Sequence, residues 1–203
     1  MSKKASICIV DDDEAIRESL QLLLFSAGLN CEVFSSAGDF LAAEDIETEC
    51  LLLDIRMPGM DGLELFRLLN SEQAPYPIIF ITGHGDIPLA VTAIKQGAFD
   101  FLTKPFKDGE LLAKINEATT HYAQLRQKKL ARMQAHQKME SCTPREIDVL
   151  TLMIKGLPNK GIADALNISP RTVEIHRAHV LEKMEADSLP DLVRMMATID
   201  TQV

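Results

Sequence analysis

The chain has 203 residues, 46% of them hydrophobic and 25% charged, with ten Gly and nine Pro. These values exclude a mainly disordered, collagen-like or low-complexity chain and leave room for one large domain or two small ones. The net charge of −9 is uneven: residues 1–120 hold 9 Lys and Arg against 20 Asp and Glu, and residues 121–203 hold 12 against 10. Any polyanion binding is therefore expected in the second half.

Residues 5–10 (ASICIV) form a short apolar run that stops at Asp11-Asp12-Asp13. The run is too short for the hydrophobic region of a signal peptide, and no stretch approaches the roughly 18 apolar residues of a membrane span. A cytosolic chain is the expectation, and the run reads as a buried strand. The scattered Cys8, Cys31, Cys50 and Cys142 form no C-x-x-C pair and are expected as buried free thiols. Residues 14–27 follow as a helix capped by Asp13, with Ile16, Leu20, Leu23, Leu24 and Ala27 on one face and Gly28 as its stop. Further strands are expected at 31–34, 50–53, 77–81 and 99–102. The helices between them are marked by Leu63, Phe66 and Leu69, then by Ile87, Ala90, Val91 and Ile94, and at the end by Leu111, Leu112 and Ile115.

Five apolar strands alternating with five helices predict an α/β doubly wound, five-stranded parallel sheet covered on both faces. Ligands of such sheets bind beyond the carboxyl ends of the strands. There the sequence places Asp11 and Asp12, Asp54, Thr82 and Lys104 in turn. Crowded carboxylates repel one another and want a cation, and a hard divalent ion such as Mg²⁺ accepts them together with carbonyls and water. With that charge balanced, a carboxylate can act as nucleophile toward a phosphoryl group, with Lys104 and the Thr82 hydroxyl addressing its oxygens. No P-loop is present.

Four segments carry a resemblance: Val10 to Asp13 (VDDD), Leu53 to Gly62 (LDIRMPGMDG), Phe80 to Gly85 (FITGHG) and Phe101 to Phe106 (FLTKPF). Together they resemble a response-regulator receiver domain, a flavodoxin-like fold, over residues 5–120. The resemblance implies that Asp54 takes a phosphoryl group from a sensor histidine kinase. It implies that Asp11, Asp12, Asp54 and the backbone carbonyl of Arg56 hold Mg²⁺. It also implies that Thr82 and Phe101 form a switch pair, Phe101 standing where Tyr is commoner, and that Arg56 and His84 sit where the lifetime of the aspartyl phosphate is tuned.

Residues 121–140 lack Gly and Pro and carry Arg126, Lys128, Lys129, Arg132 and Lys138 against one acid, Glu140. They read as a partly exposed helical linker without a clean hydrophobic period, a coiled coil being the alternative. Thr143-Pro144-Arg145-Glu146 is a helix start with a capping box, followed by Ile147, Leu150 and Ile154 as an apolar stripe ended by Gly156. Asn159 is expected to cap a helix through Leu166, Asn167 to take a left-handed turn, and Ser169-Pro170 to open a helix over residues 171–184. Ser188 caps a last helix with Leu192, Val193 and Met196 inward.

Two helices joined by a three-residue turn read as a helix-turn-helix. The residues TPRE (143–146), GLPNK (156–160) and ISPRTVEIHR (168–177) resemble the LuxR/NarL-type DNA-binding domain, closest to FixJ-type regulators. The first helical turn at Ser169 faces phosphate well. Arg171 and Arg177 are candidates for phosphate or guanine, Glu174 for cytosine N4 and Ile175 for a thymine methyl. Thr172, Ala178 and Lys183 complete the expected DNA interface. Glu174 departs from the Lys of many relatives, and residues 141–203 carry a net −2, so weak monomer binding and a need for dimerisation are expected. His176 and His179 lack a third ligand and are expected to pack or touch phosphate.

The domains expected are a receiver (1–120), a helical linker (121–140) and an all-α helix-turn-helix domain (141–203). The function expected is a phosphorylation-activated transcription regulator, an activator by resemblance. Its expected partners are a histidine kinase, double-stranded promoter DNA, a second copy and RNA polymerase, with no membrane. Two other readings make different predictions. A Mg²⁺-dependent phosphatase or phosphotransferase built on Asp54 would turn over a small phosphate ester repeatedly. A phosphorylation-independent DNA binder would show affinity untouched by phosphorylation.

Overall fold

The computed structural model describes residues 6–43, 46–72, 74–83 and 86–200. The chain divides into two compact units, Met1–Gln124 and Leu125–Val203.

In the first unit β1 (Ser6–Val10), β2 (Asn30–Phe34), β3 (Cys50–Asp54), β4 (Ile78–Thr82) and β5 (Asp100–Thr103) form one sheet in the order β2-β1-β3-β4-β5. Every pairing is parallel, with Val10 beside Leu53, Asp54 beside Ile81 and Thr82 beside Thr103. β3 and β4 are buried at every position, as strands covered on both faces must be, while β2 and β5 are the half-exposed edges. Phe66 and Phe80 meet edge to face in the core on one side, and Leu24, Leu52 and Ile115 fill the core on the other.

The helices are α1 (Glu14–Ser26), α2 (Ala37–Ala42), α3 (Gly62–Ser71), α4 (Ile87–Lys95) and α5 (Asp108–Glu140). Asp13 caps α1, accepting from the Ala15 and Ile16 amides. Two stripes differ from expectation. Ala27 is exposed and is the C-cap of α1 rather than part of its inner face. α4 turns Ala90 and Ala93 inward and leaves Ile87 and Val91 about two-fifths exposed. The small Ala side chains let that helix lie close to the sheet, and a helix rotates about 100° per residue, so periodicity alone did not choose between the two faces. α5 continues without a break through residue 140, its Leu125, Leu130 and Met133 exposed.

The second unit holds α6 (Pro144–Ile154), α7 (Asn159–Leu166), α8 (Pro170–Met184) and α9 (Leu189–Asp200) around Val149, Leu150, Met153, Ile162, Val173, Val180, Met184 and Leu192. Thr143 and Glu146 make the expected capping box. The buried stripe of α6 is Val149, Leu150 and Met153, with Ile147 and Ile154 half-buried at its margins. Asn159 does not cap α7: Pro158 holds that position with no side-chain bond, and Asn159 is the first helical residue. Asn167 is left-handed at φ 54°, closing the three-residue turn between α7 and α8. Ser188 accepts from the Asp191 amide ahead of α9, and Val193 there is exposed. All four cysteines are free, Cys8 and Cys50 buried, Cys31 and Cys142 only half so.

Candidate functional site

The parallel crossovers of the sheet bring the ends of β1, β3, β4 and β5 to one edge. Asp54 closes β3 and Thr82 closes β4, while Asp11 and Lys104 each follow their strand by one residue. The Lys104 ammonium lies 2.7 Å from Asp11 Oδ2 and 2.7 Å from Asp54 Oδ1, one cation shared by two buried carboxylates. The Lys104–Pro105 peptide bond beside it is cis. The remaining oxygens are also engaged: Asp11 Oδ1 accepts the Asp13 amide at 2.9 Å, and Asp54 Oδ2 accepts the Arg56 amide at 2.6 Å.

Burial pushes the Asp54 carboxyl up from its ordinary pKa, while the hydrogen bond and charge of Lys104 pull the other way. Burial works against the Lys104 ammonium, but the hydrogen bonds and charges of Asp11 and Asp54 together outweigh it and raise its pKa. Lys104 therefore stays charged and faces the Asp54 carboxyl as its paired cation.

The other expected residues lie around this centre. Thr82 is fully buried, and among the described residues its hydroxyl has only a long 3.4 Å contact to the Gly83 carbonyl. Phe101, paired with Phe80 in register, is half-buried against the core. Asp12 is exposed. His84 lies outside the described residues. Among the described residues no three His, Cys, Asp or Glu side chains are gathered as a metal cluster. The donor chemistry nonetheless fits Mg²⁺: Asp11, Asp12 and Asp54 are hard oxygen donors whose charge Lys104 alone leaves unbalanced.

Two features were not read from the sequence. The Arg56 guanidinium pairs with Asp86 Oδ1, with Nε and Nη2 both at 2.8 Å. Gly62 has more than a turn to make: a Cβ there would stand 1.9 Å from the Asp54 carbonyl oxygen, so α3 lies directly on the backbone of the reactive strand. The sequence signal, a Gly eight residues after an acid, is too short-ranged to show a contact of that closeness.

In the second unit Ser169 caps α8, its Oγ 3.0 Å from the Thr172 amide and 2.8 Å from the Thr172 hydroxyl. Arg171, Glu174, Ile175 and Ala178 are all exposed, and their i, i+3, i+4, i+7 spacing places them on one solvent-facing stripe. Arg171 is paired with Glu174 at 3.1 Å. Thr172 and Arg177 are half-buried beside that stripe. Lys183 is engaged elsewhere: its ammonium lies 2.6 Å from Glu146 of α6, whose other oxygen lies 3.5 Å from His179 Nδ1. His176 Nδ1 is buried without a partner among the described residues.

Lys183, and then the Thr143 amide, hold the buried Glu146 carboxyl down to about 2. A carboxylate with a folded pKa below its ordinary 4.5 stabilises the fold fully above that value and progressively less as the pH falls towards the folded one. Glu146→Gln is expected to destabilise the second unit by about 1–3 kcal/mol at pH 7. In denaturant titrations that deficit should shrink between roughly pH 5 and pH 2. An equal deficit at pH 7 and pH 3 would show that the ionised pair carries none of it.

The family model "Response regulator receiver domain" matches residues 7–116, and "Bacterial regulatory proteins, luxR family" matches residues 140–196. The chain is 44% identical over 196 residues to the transcriptional regulatory protein FixJ of Bradyrhizobium diazoefficiens, covering 96% of each. It is 45% identical over 199 residues to the response regulator protein TodT of Pseudomonas putida, covering 96% of this chain and 87% of that one. Among solved structures it is similar to the response regulator StyR, with 43% identity, a TM-score of 0.82 and coverage of 96% and 99%. It is also similar to full-length FixJ from B. japonicum, with 42% identity, a TM-score of 0.64 and complete coverage of both chains.

Proposed function

This chain belongs to the response regulators that join a receiver domain to a LuxR-type DNA-binding domain, and from that premise we propose that Asp54 is its phosphoacceptor and α8 its DNA reader. The observation that carries the proposal is the Lys104 ammonium bridging Asp11 and Asp54 at the carboxyl edge of the sheet. A carboxylate oxygen of Asp54 forms a bond to phosphorus as the bond from phosphorus to the kinase histidine breaks. Lys104 already stands where phosphoryl oxygens arrive, and the Thr82 hydroxyl, with only one weak contact, is available to donate to one of them. Asp11, Asp12, Asp54 and the Arg56 carbonyl would hold Mg²⁺, which when bound balances the negative charge that carboxylates and phosphoryl oxygens bring together.

Movement of Thr82 towards the phosphoryl group opens space for Phe101 to turn inward. That remodels the face of α4, β5 and the first turns of α5, through which two copies pair. Pairing places two α8 helices on two half-sites, Arg171, Thr172 and Arg177 addressing phosphate or guanine, and Glu174, Ile175 and Ala178 facing base edges. The Arg171–Glu174 pair must open for either residue to reach DNA. Lys183, held by Glu146, serves the fold of the reader before any phosphate. The regulator acts as an activator in the cytoplasm, with RNA polymerase as its further partner. No helix among the described residues is long and apolar enough to cross a membrane.

A gel-shift on promoter fragments, with and without acetyl phosphate and Mg²⁺, tests this reading. Two weak monomer sites joined in one dimer should tighten binding by at least about tenfold on phosphorylation. Equal shifts under both conditions would leave a DNA binder indifferent to its receiver.

A further inference from the structure

The caps of α1, α2 and α3 share a plan. Asp13, Ser36 and Asp61 are extended, and each accepts from an amide of the first turn. α4 breaks it. Asp86 stands at its cap position with a nearly buried carboxylate, yet no α4 amide donates to it, and its backbone lies at φ −105°, ψ 4° rather than extended. The carboxylate is spent on Arg56, whose Nε donates to Asp86 Oδ1 at 2.8 Å while Nη2 pairs with the same oxygen at 2.8 Å. Arg56 is the residue whose own amide holds Asp54 Oδ2, and its side chain is 69% exposed.

We propose that Asp86 is a positioning residue for phosphoryl transfer: it keeps the Arg56 guanidinium off Asp54 in the unphosphorylated chain and exchanges that partner for the start of α4 once the phosphoryl group arrives. The inference rests on Asp54 being the acceptor. A phosphoryl group brings close to two negative charges and three acceptor oxygens to Asp54. A guanidinium fork binds such an oxyanion through two parallel bonds, whereas here Nε alone donates and Nη2 only stands against the same carboxylate oxygen. Arg56 therefore changes partner. Asp86 is then left buried and charged, a state that demands a new donor.

The donor is already in place. A cap accepts from the second or third helical amide. The second residue of α4 is Pro88, which has none, so the bond goes to the Leu89 amide. Making it requires Asp86 to become extended, which resets the first turn of α4. The fully buried side chains of that helix are the small Ala90 and Ala93, with Leu89 and Ile94 packed against the core beside them.

The test labels the full chain with radioactive acetyl phosphate and Mg²⁺ below saturation, in wild type, Asp86→Asn, Arg56→Met and the double variant. Asn keeps an oxygen able to cap α4 but loses the charge that holds Arg56, and Arg56→Met keeps the backbone carbonyl and amide. Asp86→Asn is expected to label about two- to fivefold faster than wild type, the factor a partly exposed ion pair supports. Arg56→Met should label more slowly, and adding Asp86→Asn to it should change nothing. Asp86→Asn labelling at the wild-type rate, or changing the rate equally in both backgrounds, overturns the inference and leaves Asp54 as acceptor. A wild type that takes no label at all overturns both.

Discussion

Asp54→Asn is expected to take no phosphoryl label from acetyl phosphate, a loss on the order of 100-fold or more, because an amide is not a nucleophile at phosphorus. Its DNA binding should then ignore acetyl phosphate and Mg²⁺. Asp11 accepts from Lys104 and from the Asp13 amide, and its carbonyl accepts from Arg17. Asp12 points to solvent. The loss should not come from unfolding. Burial raises the Asp54 pKa, so the fold disfavours its ionised form, and a neutral side chain of the same shape relieves that cost while Lys104 keeps Asp11. The urea midpoint of the receiver is expected to be no lower than in wild type. Label persisting on the Asn variant would move the acceptor to another residue.

Gly62→Ala should be the most destabilising single-methyl change in the receiver. The added Cβ would meet the Asp54 carbonyl oxygen at 1.9 Å and the Asp54 carbonyl carbon at 2.9 Å. Both are backbone atoms of a fully buried central strand, so neither side can give way cheaply. The Gly62 amide also donates to the Ile55 carbonyl at 3.0 Å, and moving the helix away would stretch that bond. Overpacking of this kind costs about 3 kcal/mol, the upper end of its usual range. In a unit of this size that lowers the first thermal transition by roughly 10–20 °C. Gly109→Ala in α5 is the control: its Cβ would meet nothing within 4 Å, so a helix-favouring change of about 0.5–1 kcal/mol in the stabilising direction is expected. Calorimetry on the two variants decides it, and similar midpoints for both would show that α3 can slide from β3 at little cost.

Much of this molecule is legible in its chain because the relevant signals are local. Apolar runs that end in Asp11, Asp54, Thr82 and Lys104 announce buried strands with chemistry at one edge, and they do so within a few residues. Asp13, Thr143 and Ser169 cap helices by bonds to amides two or three residues on, which is why each could be placed from spacing alone. Where local signals are weak, packing decides. The cap of α7 is Pro158, one residue before the expected Asn159, and α4 buries Ala93 beside the expected Ala90 while Ile87 and Val91 stay exposed.

The alternation of strands and helices, the reactive residue types and their order are all written along the chain. Only the folded chain decided that Lys104 bridges carboxylates 93 and 50 residues away, that Arg56 is held by Asp86 across 30, and that Lys183 serves Glu146 of α6 across 37. Periodicity and capping are properties of neighbouring peptide units. Which side chain shares a given proton or charge is set by how parallel crossovers and packed helices bring distant segments within 3 Å, and a one-dimensional pattern carries no such distance.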